Sequence, residues 1–222
     1  MTQYKYILQS STYKKEATLV AFTEEFDLDF GQLESDILGK ARIDVINRIN
    51  SAIVANVNSA AVAYNTASAF LGAGTDPITN VNDIDAIAAM AAQVDSATFG
   101  GSTANAALIS TYKKHRLGII KDTQGRYLEW PMTLSNIALV GNPGFGTDIG
   151  SDNVIVGDFK QYNILLKGGL IVRVGYNGTD FAENKFSVVI EQYYFDYISS
   201  VRTPALVKGP DFATVKQAIG GL

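Results

Sequence analysis

Between residues 37 and 61 apolar side chains return at every fourth position: Ile37, Ala41, Val45, Ile49, Ile53, Val57 and Ala61, with Leu38, Ile46 and Ala60 beside them. A stride of four drifts around a helix of 3.6 residues per turn. The stripe therefore spirals, and no single flat partner can cover it from end to end. Carried over residues 32 to 71, the pattern predicts a helix roughly 50 to 60 Å long, about twice what crosses a small domain. Such a helix is a spine on which other elements hang. Its expected stop is Gly72-Ala73-Gly74-Thr75-Asp76-Pro77, where glycine and then proline end the run.

Residues 1 to 30 read as extended. Tyr4, Tyr6 and Leu8, then Thr18, Val20 and Phe22, then Phe26, Leu28 and Phe30 alternate with polar neighbours, the two-residue period of a strand with one apolar face. The polar stretch from Ser10 to Glu16 contains Lys14 and Lys15 and reads as the open, basic tip of a long hairpin. An isolated hairpin is marginal in water, so this arm needs something to lie on. A second helix is expected from Val81 or Asn82, with Ile84, Ile87, Ala88, Ala91 and Val94 as its apolar face. Asn80 or Asn82 can cap it, and Asp83 and Asp85 sit where the helix dipole favours anions. Residues 106 to 110 read as a short buried strand, 112 to 120 as a short helix and 121 to 128 as a turn. Beyond residue 130 the expected strands are 137–140, 154–156, 162–166, 170–174 and a long one over 186–198, with Asn177-Gly178-Thr179 as a hairpin turn. The fold class is α+β.

Composition removes much chemistry. The 222 residues contain no cysteine and one histidine, so there is no disulfide framework, thiolate zinc site, cysteine nucleophile or histidine cluster. Eighteen basic residues against 22 acidic give a net charge of −4, which does not predict sequence-specific nucleic-acid binding. The charge is uneven. No basic residue lies between Arg48 and Lys113, whereas Asp76, Asp83, Asp85 and Asp95 do, making an acidic lobe. Residues 50 to 75 are uncharged, but Asn56, Asn58, Ser59, Asn65 and Ser68 make them costly in lipid, and no membrane span is expected. The opening residues carry no secretory signal.

Motifs with catalytic potential fail on context. Gly141-Asn142-Pro143-Gly144-Phe145-Gly146 runs into more turn residues where a dinucleotide fingerprint would open a helix, and the lone Gly39-Lys40 is followed by Ala41 inside the first helix. Glu24 and Glu25 point apart on a strand, and Asp83 and Asp85 already serve a helix end. Lys113-Lys114-His115-Arg116 reads as a solvated basic face, suited to the acidic stretch from Glu24 to Asp29 of another copy. Tyr193, Tyr194 and Tyr197 read as cross-strand packing rather than a sugar platform. No catalytic residue, cofactor site or metal site is assigned, and the chain is not expected to be an enzyme.

One linear order is recognisable. Ala107-Leu108-Ile109-Ser110, then Leu117-Gly118-Ile119-Ile120-Lys121-Asp122-Thr123-Gln124-Gly125-Arg126-Tyr127-Leu128, resembles the strand, helix and lys-asp-x-x-gly-arg-tyr-leu turn of the major capsid proteins of tailed bacteriophages. Val154-Ile155-Val156-Gly157-Asp158-Phe159-Lys160-Gln161-Tyr162 is similar to that family's hydrophobic-gly-asp-phe segment. Phe181-Ala182-Glu183-Asn184 leads to the long last strand and Val201-Arg202-Thr203-Pro204-Ala205, like the family's closing strand and pro-ala ending. The order matches across roughly residues 1 to 210.

The resemblance implies an extended N-terminal hairpin loop over 1–30, a spine helix over 31–77, a mixed axial domain over 78–150, and over 151–222 the strands of a long antiparallel sheet that complete a peripheral domain. It implies a shell protein whose pentamers and hexamers enclose double-stranded DNA without sequence specificity. Portal, scaffold or decoration proteins would be its partners, and it would sit in the virion, after assembly in the host cytoplasm. An encapsulin-type nanocompartment shell is the alternative on the same fold. No cofactor is implied. A hairpin and a helix too long to satisfy themselves demand sister chains, and repeated asymmetric contacts close into rings. The expected interface residues are Tyr13, Lys14, Lys15, Glu16, Glu24, Glu25, Lys113, Lys114 and Arg116. Relatives carry an N-terminal arm before the extended loop, whereas this chain begins at the loop, so a processed or trimmed form is expected. Lys14 and Lys15 match the arm that forms lysine–asparagine cross-links in some relatives, but spacing places no asparagine or helper acid, and no cross-link is assigned.

Overall fold

A computed structural model describes residues 12–23, 31–67, 79–122, 124–142 and 153–220. The chain divides into two compact units. One comprises Met1–Ile53 and Asn163–Tyr197, the other Val54–Tyr162 and Ile198–Leu222.

The first unit is built on strands β1 (Lys14–Thr23), β6 (Tyr162–Gly175) and β7 (Lys185–Ile198), in the order β1-β7-β6. β1 runs antiparallel to β7, from Lys14 opposite Tyr194 to Thr23 opposite Lys185. This alters the expected hairpin. Lys14, Lys15 and Glu16 are not an open tip but the first rungs of a ladder on the chain's own long strand. The runs at 4–8 and 26–30 lie outside the described residues. The strands expected at 162–166 and 170–174 are one strand of 14 residues, with Gly168 at φ +72° within it. Glycine adopts that angle at the least cost, which lets the strand continue where its alternation is interrupted.

Helix α1 (Gly31–Ala60) lies on this sheet through Ala41, Val45 and Ile49, which pack with Phe22, Val188, Ile190 and Tyr194. The buried stripe then moves to Val54, Val57 and Ala61. This is the spiral that a four-residue stride dictates. The division between units falls at Ile53 and Val54, inside that helix. Ile46, expected beside the stripe, is instead exposed. The helix also ends 11 residues before the expected stop. Val62 and Ala63 form strand β2, parallel to Val207 and Lys208, and the Lys208 ammonium donates to the Asn58 carbonyl at 2.9 Å, satisfying an acceptor of the last turn.

The second unit holds a five-stranded sheet in the order β2-β8-β5-β3-β4. The further members are β3 (Ala106–Ser110), β4 (Ala138–Asn142), β5 (Val154–Gly157) and β8 (Leu206–Gly209). Among the described residues helices α2 (Asp83–Ala97), α3 (Thr111–Leu117) and α4 (Phe212–Gly220) accompany it. Of the two candidate caps, Asn82 takes the role. Its side chain accepts from the Ile84 and Asp85 amides at 2.7 and 3.2 Å, and Asp85 reaches back to the Asn82 N–H at 2.9 Å. Asn80 sits in the left-handed region at φ +57°. One core contains Ile84, Ile87, Met90 and Val94 of α2, Ala107 and Ile109 of β3, Val154 and Val156 of β5, and Phe212, Val215 and Ile219 of α4. Strands β5 and β8 thus share a unit with the segment from 79 to 142 rather than with the long strands that follow β5 in sequence. Among the described residues no helix is long and apolar enough to cross a membrane.

Candidate assembly surfaces

Two of the quoted motifs meet in space. Gly157 of β5 lies opposite Leu206 of β8, and a Cβ built on Gly157 would stand 2.2 Å from the Ala205 carbonyl oxygen. The glycine is the consequence of that approach. Asp158 then donates its backbone N–H to the same Ala205 oxygen at 2.9 Å. Its buried carboxylate accepts from the Asn105 amide at 2.7 Å, the Gln161 amide at 2.9 Å and the Lys160 N–H at 3.2 Å. The gly-asp-phe and thr-pro-ala segments are therefore the two halves of one joint. The lys-asp turn is wired within itself. Asp122 accepts from the Gln124 and Arg126 amides, each at 2.8 Å, and from the Arg126 side chain at 2.9 Å. The Arg126 backbone N–H is the chief reason the Asp122 carboxyl sits below its ordinary range.

The expected interface residues separate into three groups. In the first unit, Lys15 and Arg173 flank the buried Glu191 at 3.3 and 3.1 Å, so one carboxylate joins all three strands, while Lys14 pairs with buried Asp196 at 3.3 Å. Tyr13 packs against Phe195, its ring 5.8 Å away, under the Lys167 ammonium, and Glu16 lies opposite Gln192. These charges hold β1 to its own chain. Replacing Lys15 with glutamate should accordingly lower subunit stability by about 1–2 kcal/mol, a modest value because Lys15 is half exposed. The check is a fall in the urea midpoint at protein concentrations too low for association. Deleting residues 10–16 would likewise remove the first three residues of β1 and so would not spare the fold. Glu24 and Glu25 lie outside the described residues.

In the second unit Lys114 and Arg116 are exposed on α3 together with His115. Lys113 is not. It turns inward, 3.0 Å from the Asp83 carboxylate and 4.4 Å from the Phe212 ring centre, and Lys216 of α4 meets the other Asp83 oxygen at 2.8 Å. The basic run therefore contains one structural lysine. Burial would raise the Asp83 carboxyl, but the hydrogen bonds and charges of Lys216 and Lys113 outweigh it and bring it below its ordinary value. Tyr194, one of the possible sugar-platform aromatics, faces the α1 core.

Two surfaces escaped sequence reasoning. Among the described residues β6 is an edge strand, and on it Ile164, Leu165 and Leu166 are all exposed. A consecutive aliphatic run was its only signal, and it reads equally well as a buried strand. Phe99 is 99% exposed in the loop after α2, marked in sequence only by the Gly100-Gly101 that follows. Among the described residues no group of three or more acidic or histidine side chains is placed to hold a metal ion.

This arrangement is the fold of the tailed-bacteriophage major capsid proteins, the one shared with encapsulins. The solved structures it resembles include a chain of Mycobacterium phage Adephagia, with a TM-score of 0.60 and 13% identity over 84% of this chain. This chain spans 66% of the Adephagia chain. A capsid chain of an empty GTA particle has a TM-score of 0.57 and 14% identity, over 88% of this chain and 72% of its own. The crystal structure of a virus-like particle from Pyrococcus furiosus has a TM-score of 0.59 and 11% identity, over 89% and 77%. Capsid chains such as these are structural rather than enzymatic. No sequence-family description and no curated protein matches the chain.

Proposed function

We propose that this chain is a major capsid protein that assembles with copies of itself into an icosahedral shell around phage double-stranded DNA. The likeness to a GTA capsid supports this reading. The observation that carries it within the chain is β6, a 14-residue strand at the edge of its sheet with Ile164, Leu165 and Leu166 open to solvent. Three exposed aliphatic residues in a row at a sheet edge invite pairing, although the same strand also carries Lys167 and Arg173 further along. In this reading the unit of α1 and the long strands is the peripheral domain and the other unit is the axial domain. Residues 1–30 supply the extended loop, anchored through the pairing of β1 with β7, and Tyr13, Glu16, Glu24, Glu25, Lys114 and Arg116 lie at subunit contacts, while Lys14, Lys15 and Lys113 act within the subunit. An acidic average surface is compatible with DNA as cargo if a motor rather than attraction fills the shell. Portal, scaffold and decoration proteins would complete a virion assembled in the host cytoplasm.

The likeness to the Pyrococcus virus-like particle favours a second reading, a cellular compartment shell. Negative-stain microscopy of the purified chain tests both: rings or closed particles are expected, and a strictly monomeric population at every concentration would reject them together. Nuclease-protected DNA in particles isolated from the natural source selects the capsid. Leu166→Lys is expected to keep the wild-type circular dichroism and melting temperature while reducing particle yield at least tenfold, because it adds a charge to an exposed position of the edge. Unchanged yield would remove β6 from the assembly.

A further inference from the structure

Phe99 combines two unfavourable states. It is 99% exposed, and its φ of +51° lies in the left-handed region that a bulky side chain avoids. The loop is locked in that form. The Gly100 N–H donates to the Asp95 carbonyl at 2.8 Å, the Phe99 N–H to Ser96 at 3.2 Å and the Gly101 N–H to Thr98 at 2.9 Å. The Thr98 hydroxyl lies 2.8 Å from the Val94 carbonyl and 3.0 Å from that of Ser102, and accepts from the Ser102 N–H at 3.1 Å. The backbone holds the ring out.

At the other end of α2, roughly 22 Å away at 1.5 Å per residue, Asp83 ties the helix to α3 through Lys113. Strand β3 likewise separates the Phe99 loop from α3. On α3 and the turn after it Tyr112, Arg116 and Ile119 follow at i, i+4 and i+7 and share a face, with Tyr112 71% and Ile119 64% exposed. Phe99 and this face occupy opposite ends of one unit, so Phe99 cannot cover the face within its own chain. The ends also differ in charge. Asp95 is exposed beside Phe99 in a stretch without basic residues from 49 to 112, while α3 presents Lys114 and Arg116 with no acid from 111 to 121. An aromatic knob with a carboxylate at one end and an aromatic-aliphatic face with cations at the other form a head-to-tail pair, the kind of contact that closes rings.

We propose that Phe99 of one copy seats on the Tyr112–Arg116–Ile119 face of the next, with Asp95 facing Arg116. The contact rests on the shell reading above and assigns it a ring interface. Phe99→Asn separates this role from a structural one, because asparagine tolerates the left-handed backbone. In the full-length chain it should raise the subunit melting temperature by about 2–4 °C and raise the concentration needed for particles at least tenfold. Asp95→Arg and Arg116→Glu should each weaken assembly by a similar factor in low salt. The double variant, which restores opposite charges, should return to within about threefold of wild type. If wild type forms particles and Phe99→Asn and Asp95→Arg form them at the same concentration, the contact is wrong and the shell reading stands. If Phe99→Asn lowers the melting temperature, Phe99 is a fold residue and the proposal fails. A wild-type chain that never assembles removes the shell reading and this contact with it.

Discussion

Gly157→Ala should cost the subunit about 3–5 kcal/mol, more than most single substitutions do. The new methyl group would stand 2.2 Å from the Ala205 carbonyl oxygen and 2.9 Å from the Leu206 Cα, both backbone atoms that no rotamer change can move. Overpacking of this kind costs about 1–3 kcal/mol when a core can yield. Here yielding means separating β5 from β8, whose register runs from Val154 opposite Gly209 to Gly157 opposite Leu206, and breaking the 2.9 Å bond from the Asp158 N–H to Ala205. Each buried bond lost adds about 1 kcal/mol. Urea unfolding should show a lower midpoint at unchanged slope, and amide exchange should accelerate first at Asp158. Gly169→Ala is the control, because nothing lies within 4 Å of its added Cβ and its φ is not positive. A loss below 1 kcal/mol at Gly157 would mean that the two motifs do not meet as closely as this joint requires.

That joint shows where sequence reading stops. The segments 154–162 and 201–205 were legible as a pattern, but their separation along the chain hid that one glycine exists because the other segment's carbonyl presses on it. Local signals did well: the stride of α1 foretold a spiralling stripe, and Asn82 with Asp85 marked the start of α2. Properties set by distant partners were invisible. α1 ends at Ala60 because Val62 and Ala63 find β8, a preference no window around residue 60 encodes. Lys14 and Lys15 read as a solvated tip because their partners, Asp196 and Glu191, lie more than 170 residues away. Lys113 read as one of three surface cations for the same reason. Only the fold brings Asp83 and Phe212 to it.

The charge balance around Asp83 leads to the second large effect. Two ammonium groups and one carboxylate meet there, with the Asp83 side chain 8% and the Lys113 side chain 7% exposed, whereas that of Lys216 is 34% exposed. Asp83→Asn removes the carboxylate that the buried Lys113 ammonium meets at 3.0 Å, and removing one partner of a buried pair typically costs about 3–5 kcal/mol. Lys216 can turn to water, so the expected loss lies near the lower limit, about 3 kcal/mol. Replacing both deep members by apolar residues, as in Asp83→Leu with Lys113→Met, should recover most of it, because the desolvation cost disappears with the charges. The pH dependence has a definite sign. The native Asp83 carboxyl is depressed below its unfolded-state value, so its contribution is fully present above the ordinary aspartate range near pH 4 and is lost as pH falls through the lower native value. Wild type minus Asp83→Asn stability, measured by urea unfolding from pH 7 down to pH 2, should be constant above about pH 5 and shrink below pH 4. A difference that stays constant to pH 2, or grows, would show that Asp83 is not held ionised by these two lysines.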